Sequence, residues 1–145
     1  MAKLSPDGLG GISRCSVPSR LLIAEDDEAL RQMLRWEFEE MGYRVITAST
    51  CIEALSSIAG HQVDLALLDY NLPDGIGMDL LRALRKGVPD LPVVIYSGRA
   101  TRGKADESSK YGASRFIAKP VAASSLHAIF QHLLPTAKPT SEPKA

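Results

Sequence analysis

The sequence predicts an α/β fold, a doubly wound parallel sheet of five strands with helices on both faces. Apolar runs of strand length alternate with amphipathic segments of helix length, which is typical of strands joined by helical crossovers. The run at residues 65–68 is apolar throughout, as expected for a strand that is buried on both faces of a sheet. Because such crossovers are right-handed, few topologies are allowed and the doubly wound sandwich is the first choice.

The first half of the pattern contains three strands and two helices. Strands are predicted at residues 20–24, 43–48 and 64–68. The first helix, at 28–42, is predicted from apolar residues at helical spacing and from Gly42, which suits a helix stop. The apolar positions of that helix are Leu30, Met33, Leu34, Phe38 and Met41, and those of the second helix, at 51–60, are Ile52, Leu55 and Ile58.

The second half contains two strands and three helical segments. Strands are predicted at 91–97 and 114–118. The polar segment 101–112 between them offers few apolar anchors, so a helix there would be weakly held. The other two helices are predicted at 77–87, with Met78, Leu81 and Leu84 as its stripe, and at 124–134, with Leu126, Ile129, Phe130 and Leu133 facing inward.

Composition places the folded unit at residues 20–134, between a flexible leader at 1–19 and a flexible tail at 135–145. The formal net charge is zero, which gives no electrostatic basis for binding nucleic acid or an anionic membrane. Cys15 and Cys51 lack the spacing of metal ligands and are too few for a disulfide framework. Since the first residues also lack a signal peptide, a cytoplasmic location is expected.

Reactive side chains follow four of the five predicted strands, and the carboxyl ends of parallel strands meet at one edge of the sheet. Clustered carboxylates repel one another unless a cation lies between them, and an all-oxygen ligand set suits Mg²⁺. A lysine and a hydroxyl can hold phosphoryl oxygens while a carboxylate attacks phosphorus. These are the parts of a site that receives a phosphoryl group on an aspartate. The residues concerned are Glu25, Asp26 and Asp27 after the first strand, Asp69 after the third, Ser97 after the fourth, and Lys119 and Pro120 after the fifth.

This constellation resembles the receiver domain of bacterial-type response regulators, the phospho-accepting module of two-component signalling. The matching segments are LLIAEDDEALRQML, DLALLDYNLPDGIGMDLL, PVVIYSG and RFIAKP. The spacing also agrees, with 43 residues from Asp26 to Asp69, 28 from Asp69 to Ser97 and 22 from Ser97 to Lys119. The resemblance covers residues 20–134 and implies the flavodoxin-like receiver fold.

The resemblance also implies a role for each matching residue. Asp69 would be the phospho-acceptor and Lys119 the lysine of the site, with a bond to Pro120 that is commonly cis in this family. Asp26 would bind Mg²⁺ directly. Glu25 would bind it through water, and Asn71 would bind it through its backbone carbonyl.

Further implied roles concern signalling. Ser97 would be the hydroxyl that moves onto the phosphoryl group, and Phe116 the switch aromatic that turns inward when it does. Trp36 lies off the apolar face of the first helix, where the family commonly docks its histidine-bearing phosphodonor. Asp27 is more suited to capping the following helix. The segment 101–112 would be mobile until phosphorylation or a partner orders it.

The implied function is a receiver, not an enzyme, that takes a phosphoryl group from a histidine kinase or a histidine phosphotransfer protein and signals to a downstream protein target. A receiver of the single-domain type is expected, and one cut from a hybrid sensor kinase or a multidomain regulator is the alternative. A phosphatase with an aspartyl nucleophile would carry a second Asp where Asn71 stands. A degenerate receiver that only binds partners is disfavoured by the intact acid, hydroxyl and lysine set. Residue by residue, Asp69 could be a turn residue, Ser97 a turn-starting hydroxyl and Phe116 plain core.

Overall fold

The computed structural model describes residues 19–134, except for the side chain of Ile76. The predicted tail, Cys15 and all of the predicted leader except Ser19 lie outside the described residues. Within the described range the chain forms alternating strands and helices. In order they are β1 (Arg20–Ala24), α1 (Glu28–Glu40), β2 (Arg44–Ala48), α2 (Cys51–Gly60), β3 (Leu65–Asp69), β4 (Asn71–Leu72), β5 (Gly75–Ile76), α3 (Gly77–Gly87), β6 (Val93–Ser97), α4 (Arg102–Lys110), β7 (Arg115–Ala118) and α5 (Ala123–Leu133).

Five strands form one parallel sheet in the order β2-β1-β3-β6-β7. The chain runs from β1 outward to β2, then crosses to β3 on the other side of β1. The strand order therefore reverses between β1 and β3, and ligands of doubly wound sheets bind at such a point. The predicted fold class is confirmed.

Two apolar cores cover the faces of the sheet. One contains Leu22 and Leu68 with residues of α2 and α3, and the other contains Leu21 and Leu67 with residues of α1 and α5. All residues of β3 and β6 are buried. Burial on both faces explains why these strands read as unbroken apolar runs.

The boundaries of most elements match the predicted ones, and their caps explain where they begin and end. Asp27 is the N-cap of α1, where its Oδ1 accepts a hydrogen bond from the Leu30 amide at 3.1 Å. The predicted stop is confirmed, since Gly42 follows α1 with φ of +101°, a conformation that favours glycine. β6 begins at Val93 and not at residue 91, because Pro92 has no N–H to pair with a neighbouring strand.

The predicted apolar face of α2, which comprised Ile52, Leu55 and Ile58, is wrong for Ile52 and Leu55 and right for Ile58. Ile52 is 68% exposed and Leu55 is 38% exposed, whereas Ala54 is buried. The inward face is formed by Ala54 with Cys51 and Ile58, both partly buried against the same core. The inward face of α2 is therefore rotated away from Ile52 and includes two small residues, Cys51 and Ala54.

Two other features were not anticipated from the sequence. Of the apolar positions at helical spacing in α1, Leu34 and Phe38 are buried, whereas Met33 and Met41 are 42% and 38% exposed. The antiparallel pair β4–β5 was not predicted, because two-residue strands have no measurable periodicity. Among residues 19–134, no helix has both the length and the apolar character needed to cross a bilayer.

Candidate functional site

Four strand ends at the carboxyl edge of the sheet bring the predicted site residues to one place. Asp69 is the last residue of β3 and Ser97 the last residue of β6. Glu25 directly follows β1, and Lys119 directly follows β7. β1 and β3 are neighbours at the point where the strand order reverses. The sheet topology therefore gathers residues that are up to 94 positions apart in the sequence.

The centre of the site is an ammonium group between two carboxylates. Nζ of Lys119 lies 2.8 Å from Oε1 of Glu25 and 3.2 Å from Oδ2 of Asp69. Both acids are buried, with Glu25 1% and Asp69 5% exposed. Buried carboxylates need compensating charge and hydrogen bonds. Lys119 supplies both to each of them.

The two carboxylates titrate differently. Burial raises the pKa of Asp69 to about 6, with the charge of Glu25 acting in the same direction and the Asn71 amide and Lys119 opposing it. Burial also acts to raise the pKa of Glu25, but hydrogen bonds from Lys119, Tyr96 and the Asp27 amide outweigh it, so that pKa is lowered. Burial lowers the pKa of Lys119, but its two acidic partners outweigh that effect and the pKa is raised.

Three carboxylates of the site are placed to share a cation. Glu25, Asp26 and Asp69 each offer one oxygen, and these oxygens all lie within 4.8 Å of one another. Two oxygens that bind one Mg²⁺ directly lie at most about 4.2 Å apart, because each Mg–O distance is about 2.1 Å. Separations of this order place the three oxygens close enough together to share one hard divalent ion. All-oxygen donors favour Mg²⁺ or a similar hard cation.

The other residues predicted for the site have contacts of their own. The Asn71 amide donates to Oδ1 of Asp69 at 3.1 Å, so the loop after β3 holds the second oxygen of that carboxylate. The Ser97 hydroxyl oxygen accepts a hydrogen bond from the Arg99 amide at 3.1 Å and is buried. Phe116 is half-buried against the core that contains α3. The peptide bond before Pro120 is cis, as the resemblance implied.

Sequence reasoning missed two tyrosines. The Tyr96 hydroxyl donates to Oε1 of Glu25 at 2.5 Å, and its ring centroid lies 4.5 Å from Nζ of Lys119. The Tyr70 hydroxyl donates to Oε1 of Glu107 on α4 at 2.8 Å. Burial, with the nearby Glu25 carboxylate, raises the pKa of Tyr96, so its hydroxyl remains a donor. The signal available in the sequence was the hydroxyl-bearing Tyr96, which follows three apolar residues within the strand VVIYS.

Trp36 is 69% exposed on α1, as predicted. An apolar groove of about 430 Å³ lies between the first two turns of α1 and the segment after β7, and Lys119 is one of the residues that line it. Leu30, Met33, Pro120 and Val121 are among the residues that line this groove.

Comparison with known proteins gives one consistent family. The sequence profile of the response regulator receiver domain matches residues 21–131. The response regulator MprA of Mycobacterium sp. (strain KMS) is 32% identical over 127 residues, which cover 88% of this chain and 55% of that protein. The chain thus spans about half the length of this curated relative.

Solved structures show the same similarity. A receiver domain protein (CheY-like) from Methanospirillum hungatei JF-1 superposes with a TM-score of 0.76 at 33% identity, covering 81% of this chain and 94% of that one. A response regulator protein from Burkholderia pseudomallei, solved with a phosphorylated aspartic acid, calcium ion and citrate, has a TM-score of 0.73 at 27% identity. That match covers 76% of this chain and 65% of the other.

Proposed function

The chain belongs to the response regulator receiver domain family of two-component systems, and from this premise we propose that it accepts a phosphoryl group on Asp69 with the help of Mg²⁺. The single observation that carries the proposal is the contact of Lys119 with both Glu25 and Asp69 at the switch point of the sheet. The phosphorylated aspartic acid in the similar Burkholderia structure supports the same chemistry.

The residues of the site suit each part of the transfer. An oxygen of Asp69 attacks phosphorus, the P–N bond to a phosphohistidine breaks, and the imidazole leaves with that electron pair. Lys119 is already 3.2 Å from the attacking carboxylate, so it can hold an incoming phosphoryl oxygen. Mg²⁺, when held by Glu25, Asp26, Asp69 and the carbonyl of Asn71, would neutralise the negative charge of the reacting oxygens.

Signalling follows from a change of contacts around the new phosphoryl group. We propose that Ser97 turns towards it, giving up the Arg99 amide, and that Phe116, which is only half-buried, moves into the space released. Such a shift between two conformations would be read by a downstream protein. Receiver domains are generally signalling modules, and the absence of a second Asp at position 71 supports a role without enzymatic turnover.

The donor is proposed to be a histidine kinase or a histidine phosphotransfer protein, since response regulators act with histidine kinases. Direct binding to nucleic acid is not expected from a chain of zero formal net charge, and that stays a prediction. Whether the receiver unit works alone or within a larger regulator, its own output is proposed to be a protein contact.

Transfer from a phosphorylated histidine phosphotransfer protein tests this function. Label on the donor histidine should move to the chain when Mg²⁺ is present and should not move to Asp69→Asn. Transfer to Asp69→Asn at the wild-type rate would place the acceptor elsewhere and overturn the assignment.

A further inference from the structure

Tyr96 touches both charged partners of the acceptor residue. It is the fourth residue of β6 and pairs with Asp69 of β3 in the sheet register. Its side chain lies in the core covered by α1 and α5, where it is 1% exposed. From there its hydroxyl reaches Glu25 and its ring faces the ammonium of Lys119. One side chain therefore contacts both Glu25 and Lys119, the two residues that surround Asp69 in the charged centre of the site.

The carboxylate of Glu25 is held by three donors from three different parts of the fold. Its Oε1 accepts from the Tyr96 hydroxyl at 2.5 Å and from Lys119 at 2.8 Å, and its Oε2 accepts from the Asp27 amide at 3.0 Å. Donors fixed on separate elements leave the carboxylate a single orientation. When Lys119 turns to an incoming phosphoryl oxygen, the Tyr96 hydroxyl and the Asp27 amide still hold the Glu25 carboxylate.

We propose that Tyr96 is a positioning residue of the phosphoryl-accepting site. Its hydroxyl fixes the Glu25 carboxylate beside the oxygens of Asp26 and Asp69, and its ring supports the ammonium of Lys119. It acts through these residues and contacts neither the cation nor the phosphoryl group. Partners that orient a metal ligand typically contribute 10- to 100-fold to metal affinity. The inference rests on the proposed function, because the ligand whose binding it improves is Mg²⁺.

Tyr96→Phe isolates the hydroxyl, because phenylalanine keeps the ring, its packing and its contact with Lys119. The affinity for Mg²⁺ alone, measured by isothermal titration calorimetry, should fall about 10-fold or more. The matched control is Tyr43→Phe. Tyr43 is also buried, and its hydroxyl is hydrogen-bonded to Nδ1 of His127 at 2.8 Å. It directly precedes β2, at the amino end of that strand, whereas the site lies at the carboxyl ends of the strands.

Each variant loses one side-chain hydrogen bond, buried at Tyr96 and partly buried at Tyr43, so thermal unfolding should show a stability loss in each. Only Tyr96→Phe should lose Mg²⁺ affinity, which separates positioning from a merely structural role. In a Glu25→Gln background, Tyr96→Phe should change the affinity little further, since the hydroxyl acts through that carboxylate.

The outcomes separate the two proposals. Wild-type affinity in Tyr96→Phe, or an equal loss in Tyr43→Phe, would overturn the role of Tyr96 and leave the proposed function standing. A wild-type protein that binds no Mg²⁺ would overturn the proposed function and this inference with it.

Discussion

Lys119 compensates the negative charge of two buried carboxylates that lie close together, those of Glu25 and Asp69. Its ammonium lies within 3.2 Å of both Glu25 and Asp69, and the pair would otherwise repel each other in a poorly solvated place. This compensation is incomplete, because the pKa of Asp69 is still raised to about 6 by burial. The acceptor carboxylate is thus less stable as an anion than an exposed aspartate would be, which leaves room for a divalent cation to stabilise it.

The raised pKa of Asp69 predicts a pH-dependent stability. The pKa of Asp69 is about 6 in the folded protein and 3.8 in the unfolded chain. The folded state therefore gains stability from protonation of Asp69. This gain is complete below pH 3.8 and is lost as the pH rises through 6. Asp69→Asn stays uncharged. Without Mg²⁺ it should therefore melt a few degrees above wild type at pH 7.5, and the difference should shrink as the pH falls from 6 to 4.

Differential scanning fluorimetry across that pH range measures the effect, with Asp64→Asn as a control at a second carboxylate that accepts a backbone hydrogen bond. A difference in melting temperature that stayed constant from pH 4 to 7.5 would show that Asp69 titrates normally. Mg²⁺ at pH 7.5 should stabilise wild type more than Asp69→Asn.

The sequence indicated the site residues that lie at strand ends. It did not indicate the residues whose side chains contact a partner on another element. Asp69, Ser97 and Lys119 follow apolar runs, so topology alone predicted their convergence. Tyr96 reaches a partner 71 positions away and Tyr70 reaches one 37 positions away. Such pairings depend on how elements pack, and no local pattern reports them.

Gly77, the first residue of α3, packs against the backbone at the end of β3 so closely that there is no room for a side chain. A Cβ added at Gly77 would lie 2.6 Å from the carbonyl oxygen of Asp69 and 3.1 Å from Cα of Tyr70. Both are backbone atoms, so neither side can yield without moving the loop that carries the acceptor. The start of α3 is thereby tied to the position of Asp69.

Gly77→Ala should lower the free energy of unfolding by roughly 1–3 kcal/mol, because overpacking displaces backbone. Gly87→Ala is the matched control at the other end of the same helix, where a Cβ would meet nothing within 4 Å. Urea unfolding measures both. Equal stability of the two variants would show that the close approach at Gly77 is relieved without cost.

Helix α4 is held chiefly by polar contacts, which fits the prediction that it is weakly anchored. Ser108 is its only buried residue. The Tyr70 hydroxyl, one residue after the acceptor, binds Glu107, and Nζ of Lys104 lies 4.7 Å from the Tyr70 ring. Tyr70 thus links α4 to the loop that follows Asp69.

Tyr70→Phe should loosen α4, because Glu107 loses its hydroxyl donor. Loss of about 1 kcal/mol of local stability corresponds to about fivefold faster amide exchange in α4, with α1 unchanged. Tyr111→Phe is the control, since the Tyr111 ring lies against Arg82 and phenylalanine keeps that ring. Unaltered exchange of α4 in Tyr70→Phe would mean that other contacts hold the helix.

The positions of helices and strands were predictable because apolar periodicity and caps are local features of the sequence. Which face of a helix is buried was less predictable. On α2 the large Ile52 is exposed and the small Ala54 is buried. On α1, Met33 and Met41 are at least one-third exposed, whereas Leu34 and Phe38 are buried. Periodicity alone does not resolve such choices.

On the scale of the whole molecule, the site and a candidate docking face lie together. The apolar groove beside α1 is lined by Lys119 and by residues of the first helix, on which Trp36 is exposed. We propose that a protein which presents a phosphohistidine to Asp69 docks on α1 and contacts Trp36. Small phosphodonors need no such contact.

Trp36→Ala should therefore slow transfer from a phosphorylated histidine phosphotransfer protein by about 10-fold, as expected for an interface aromatic. The rate with a small-molecule phosphodonor should not change. Ile52→Ala is the matched control, because Ile52 is an apolar residue of equal exposure, 68% against 69%, on α2. An equal loss of rate in both variants, or a loss with the small donor, would remove Trp36 from the docking face.

The central claim is that Asp69 receives a phosphoryl group in an Mg²⁺-dependent reaction. Intact-mass spectrometry after incubation with acetyl phosphate tests it most directly, with wild type, Asp69→Asn and Asp64→Asn compared with and without Mg²⁺. We expect one added phosphoryl group in wild type and Asp64→Asn when Mg²⁺ is present, and none in Asp69→Asn. The same adduct on Asp69→Asn, or an adduct on wild type that forms equally well after chelation of Mg²⁺, would contradict the claim.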